Sequence, residues 1–211
     1  MAPRPDADAP EWLEGALRMA RASLLERRVE AGHWRGELSS SALSTATAVA
    51  ALAGAAAAGA ADPEALRALA LGGRRWLAAN ASPDGGFGDT TDSPSNLSTT
   101  ALAWMALGPG LGLDATDEVA AARDAAEAWL ERTLGGRPDA PRLAAALESI
   151  YGEDRTFAVP ILTACAVGGA FREGAPGGPS PWATVRALPF EVAALPQGLF
   201  RFLGLPVVSY A

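Results

Sequence analysis

Residues 76–89 read WLAANASPDGGFGD, a helix-forming Trp-Leu segment that runs into a glycine-rich turn closed by an aromatic residue. An earlier copy of this design ends in Ala31-Gly32-His33-Trp34, and a later one starts at Trp129-Leu130 and meets Gly135-Gly136. Another helical segment follows each turn, rich in Ser, Thr and Ala after the first two. A fixed period of about 50 residues signals stacked helical hairpins, each burying its apolar face against its neighbours. Such hairpins can close into a double ring of inner and outer helices.

The rest of the sequence also reads as helix. Leu13, Leu17 and Leu24 fall on one face of a first helix that ends near Glu30. A second helix runs from about Ser39 to Gly59. Asp62-Pro63-Glu64 combines an N-cap, a proline at the first helical position and an acid near the positive helix end. The helix it starts places Leu66, Leu69 and Leu77 at helical spacing. Ser93-Pro94 repeats this start device before Leu97–Leu107, and Gly108-Pro109-Gly110 stops that helix. Thr116 caps the next one, with Val119, Ala122, Ala126 and Trp129 facing inward. Shorter helices are expected at Arg142–Ile150 and Thr156–Val167, then a glycine and proline loop at Gly174–Pro181. No segment shows strand alternation, so the fold class is all-α.

Composition narrows the function. A chain of 211 residues suits one sizeable domain, and the large share of alanine among its apolar residues favours closely packed helices. A net charge of −7, with arginines dispersed apart from Arg27–Arg28 and Arg74–Arg75, argues against a nucleic-acid partner. The single cysteine, Cys165, cannot form an internal disulfide and reads as a buried small hydrophobe. The opening MAPRPDADAP has no signal-peptide core and reads as a disordered lead-in over residues 1–10. Ala42–Ala61 carries no charge and approaches the ~20 residues that span a bilayer. Its larger aliphatics are only Leu43, Val49 and Leu52, so it reads as a buried helix.

The acidic loop Asn80–Thr100 admits several chemistries. Asp84, Asp89 and Asp92 do not match the alternating ligand pattern of a calcium loop. No lysine follows the glycines, as a phosphate loop would require. A general acid–base pair is chemically conceivable, but nothing in the sequence fixes either carboxylate's environment. The structural reading is that Asp84-Gly85 makes the turn, Phe87 packs inward, and Asp89 and Asp92 cap backbone N–H groups. His33 reads as a turn residue beside Trp34.

Trp76-Leu77 followed by Pro83-Asp84-Gly85-Gly86-Phe87-Gly88-Asp89 resembles the glutamine–tryptophan repeat of squalene–hopene cyclases and related triterpene cyclases. Gly32-His33-Trp34 with Glu37-Leu38 resembles the family's first repeat. Residues 151–162, YGEDRTFAVPIL, resemble a further block, as do Leu188-Pro189-Phe190-Glu191 and residues 205–210, LPVVSY. The likeness runs from about Trp12 to Ala211. It implies an α/α barrel (toroid) of helical hairpins, incomplete in this chain, over residues 11–211. Its repeat turns would be Gly32, Trp34, Asp84, Gly85, Gly86 and Phe87. The repeat's glutamine would fall near Arg28 in one copy and Ala81 in the next, and Phe87 replaces the second tryptophan, so a less firmly braced turn is expected.

The resemblance implies an isomerase that cyclises a polyprenoid such as squalene by protonating an alkene, with no cofactor. An alkene is a very weak base, so the donor must be an unusually strong acid, and the cation needs a dry cavity lined by aromatic faces. The family's acid sits in an Asp-x-Asp-Asp motif, and the sequence contains none. Asp6-x-Asp8 is followed by alanine, and Asp89-x-x-Asp92 has the wrong spacing. A magnesium-binding Asp-Asp-x-x-Asp is also absent, and one histidine with one cysteine makes no zinc site. No catalytic or metal-binding residue is therefore assigned. Asp154, Arg155, Phe157 and Phe190 are the candidates to line a cavity. A cytoplasmic location with peripheral membrane contact is implied, although no basic amphipathic helix supports it. Because the sequence stops at Ala211 within an apolar, helix-like segment, the chain is expected to be the N-terminal region of a longer cyclase, inactive alone, or else a truncated product that needs a partner. The rival reading is a non-catalytic helical repeat module that binds a lipid or a protein.

Overall fold

The computed structural model describes residues 10–36, 38–152, 155–171 and 180–185. Among them the regular structure is helical, with seven α-helices and two short 3-10 turns, and the fold is all-α. The residues divide into two units, one up to Ser39 and one from Ser40 onward.

The first unit is a helix and a turn. Helix α1 spans Glu11–Glu26 and ends four residues before the expected Glu30. Its chain instead folds into a tight turn in which the Val29 N–H donates to the His33 carbonyl at 2.9 Å and that of Gly32 to Val29 at 2.9 Å. Leu13, Leu17 and Leu24 do share a face, but all three are exposed, and α1 has no buried residue.

The second unit begins with helix α2, Ala42–Ala57, whose N-cap Ser41 accepts from the Ser44 N–H. Helix α3, Pro63–Ala79, starts on Asp62, which accepts from the Ala65 N–H at 3.0 Å. A side-chain cap of this kind contributes about 1 kcal/mol. Helices α2 and α3 form a hairpin through small residues: a Cβ on Gly73 would stand 2.5 Å from a methyl of Val49. Alanines Ala42, Ala46, Ala53 and Ala70 allow this close approach.

Helix α4, Leu97–Leu107, is buried along its whole length. It packs against α2, α3, α5 (Asp117–Leu134) and α7 (Arg155–Val167). Its sequence LSTTALAWMAL carries no charge, so the polar side-chain groups its burial must pair are three hydroxyls and the Trp104 indole N–H, which donates to Glu127. Each hydroxyl is paired in turn: Ser98 with the Tyr151 hydroxyl, Thr99 with Asp89, and Thr100 with the backbone of Phe87. Helix α5 starts on Thr116 and stops at the left-handed Gly135, and α6 (Ala140–Tyr151) starts on Asp139 and pairs with α7.

Two packing expectations need correction. Leu69 is exposed, and the buried stripe of α3 is Ala70, Arg74 and Leu77. Ser93 is not the cap of α4: Asn96 is, accepting from the Thr99 N–H at 2.9 Å, while Ser93 pairs with the Thr90 hydroxyl. Both residue types cap well, and the choice falls to Asn96 because its backbone N–H also reaches the Phe87 carbonyl. Among the described residues, no helix is long and apolar enough to cross a membrane.

Candidate functional site

The acidic turn between α3 and α4 is densely hydrogen-bonded. The backbone reverses at Gly85, whose φ of +86° favours glycine, and a Cβ there would stand 2.9 Å from the Ala125 carbonyl of α5. The Gly85 N–H donates to the Ser82 carbonyl, and the Ser82 N–H donates to that of Gly86. Phe87 then turns inward and is fully buried. Its N–H donates to the Thr100 hydroxyl at 2.9 Å, and its carbonyl accepts from the Asn96 N–H at 3.0 Å.

Asp84 is the centre of the joint. One oxygen accepts from the Gly86 N–H at 3.0 Å and the Ser95 hydroxyl at 2.7 Å. The other accepts from the Trp129 indole N–H at 3.0 Å, and the Asp84 carbonyl accepts from Arg132 at 2.8 Å. The turn of one repeat is thereby fastened to the Trp-Leu helix of the next. Trp129 is half-buried, with its ring nitrogen used as a polar handle. Asp84 thus braces this turn against α5.

The Asp89 carboxylate does not cap backbone N–H groups. It accepts from the Thr99 hydroxyl at 2.5 Å and the Asn96 side-chain amide at 2.9 Å, and so holds the first turn of α4 from outside. Asp92 takes no part in these bonds. The backbone N–H groups are served instead by Asp84 and Asn96.

These bonds fix the charge of both acids. The Ser95 hydroxyl first, then the Gly86 N–H and the Trp129 indole, hold the Asp84 carboxyl below its ordinary value of 3.8. The Thr99 hydroxyl and the Asn96 amide do the same for Asp89. An acid that protonates an alkene must still carry its proton when the substrate arrives. Both groups are arranged to stay ionised, so they act as hydrogen-bond acceptors in a joint. A carboxylate whose pKa is depressed on folding contributes stability that is fully present above its unfolded value. That stability is lost as pH falls through the folded one. Urea melts at pH 7 and 5 are therefore expected to agree as far as these two groups are concerned, with stability falling below about pH 4. The double variant Asp84→Asn, Asp89→Asn should show a shallower acid loss, and an equally steep one would contradict the assignment.

In the first unit, Gly32 adopts φ +82° and Trp34 caps the turn. Its indole N–H donates to the Leu24 carbonyl at 2.6 Å. Arg28, at the place of the lost glutamine, donates to the Gly32 carbonyl and lies over the Trp34 ring at 5.6 Å. His33 is exposed and contributes its carbonyl to the turn. Arg155 and Phe157 lie in the first turns of α7, and their side chains fall outside the described residues, as do Asp154 and Phe190 entirely. Residues 1–9 of the lead-in, the Gly174–Pro179 part of the loop and the stretch 188–211 also lie outside them.

Arg74 was not legible as a key residue from sequence. It is 1% exposed and donates to four carbonyls, those of Leu107, Gly108, Leu113 and Asp114, gripping the loop that ends α4. Burial lowers its pKa, while the charge of Asp114 opposes that effect. The only local sign was a charged residue on the apolar stripe of α3. A second cluster joins Trp104, Glu127 and Arg123, with the indole N–H and the guanidinium both donating to one Glu127 oxygen. Cys165 is buried against the Ala101 carbonyl, and burial pushes its thiol up to about 12, which leaves it unreactive at neutral pH. Among the described residues, no three His, Cys, Asp or Glu side chains are grouped to hold a metal ion.

Comparison with known proteins bears on the span that contains these joints. The squalene-hopene cyclase N-terminal domain model matches residues 17–131, from α1 to the Trp129 helix, more than half of the chain. No curated protein and no solved structure gives a match. With both complete glycine–aromatic turns and their partner helix inside the matched span, the chain belongs to the squalene-hopene cyclase N-terminal domain family.

Proposed function

We propose that this chain is the helical scaffold of a squalene–hopene-cyclase-type isomerase, forming part of the wall around a polyprenoid and supplying no proton donor itself. The observation that carries this reading is the family match over residues 17–131, in a sequence that has no Asp-x-Asp-Asp. The state of the acids present supports it. Asp84 and Asp89, the acids of the turn most like the family's repeat, are engaged as ionised braces. Protonation of an alkene needs an acid whose conjugate base is stabilised inside a dry cavity, and neither exposed carboxylate meets that need.

The test is gas chromatography with mass spectrometry after incubating the folded 211-residue chain with detergent-dispersed squalene. The expected result is unchanged squalene. A pentacyclic product whose formation is abolished by Asp84→Asn or Asp89→Asn would overturn the assignment of these acids. The second reading, a non-catalytic module that binds a lipid or protein, is favoured by the same missing motif. The protein purified from its natural source separates the two, because squalene cyclisation by that material supports the enzyme and inertness supports the module.

A further inference from the structure

We draw no further inference here: the strongest candidate, the apolar face of α1 on which Leu13, Leu17 and Leu24 are exposed, is an unpartnered helix face, and nothing in the structure shows what covers it.

Discussion

Replacing Arg74 with methionine is expected to lower the unfolding free energy by about 3–4 kcal/mol, read from urea melts at neutral pH. Its guanidinium reaches the Leu113 carbonyl at 2.7 Å, that of Asp114 at 3.0 Å, that of Leu107 at 2.5 Å and that of Gly108 at 3.4 Å. Leu107 ends α4, so its carbonyl has no partner within the helix and sits at the negative end of the helix dipole. A cation placed there satisfies the orphan acceptors and complements the dipole together. Methionine keeps much of the apolar stem but donates nothing, so buried carbonyls are left bare. Lysine restores the charge without the planar fork, and it should recover only part of the loss. A methionine variant within 1 kcal/mol of the parent would show that water replaces the guanidinium without cost.

Phe87→Ala should cost about 3–5 kcal/mol, the range for deleting a fully buried phenylalanine. The ring is completely enclosed, and the backbone on either side is tied to Thr100 and Asn96. Collapse of the turn into the resulting cavity is therefore hindered, which places the cost high in that range. Phe87→Trp is equally informative. It restores the aromatic of the family's repeat but overfills an enclosed site, so a loss of about 1–3 kcal/mol is expected. Thermal melts followed by circular dichroism measure both variants. An unchanged midpoint for the alanine variant would mean that the ring does not hold the joint.

What could be read from the sequence was whatever is settled within a few neighbouring residues. Asp62-Pro63-Glu64 starts α3 because the cap, the fixed φ and the acid all lie in one turn. The glycine–aromatic turns were visible for the same reason. Leu69 and Arg74 show where local reading stops. Hydrophobicity favours Leu69 for the interior, yet Leu69 lies off the narrow face shared by the buried Ala70, Arg74 and Leu77. Arg74 can be buried only because carbonyls 33 to 40 positions later surround it, and no local pattern reports them. The cap of α4 was a choice between two good capping residues, decided by contacts to Phe87 and Asp89. Asp84 and Asp89 brace the turn, but their division of labour was not legible in the loop's own sequence. What each of them holds depends on Trp129 and Thr99, side chains outside the loop's own turn.

Whether the acidic turn is a joint between repeats is tested most directly by a double-mutant cycle on Asp84 and Trp129, 45 positions apart and in contact through one carboxylate oxygen. Asp84→Ala, Trp129→Phe and the double variant are unfolded in urea beside the parent. The pair is partly exposed, which weakens a charged hydrogen bond, so the expected coupling is about 0.5–1 kcal/mol, with the double variant less destabilised than the sum of the singles. Strict additivity would contradict the joint and leave the turn as a local feature of one repeat.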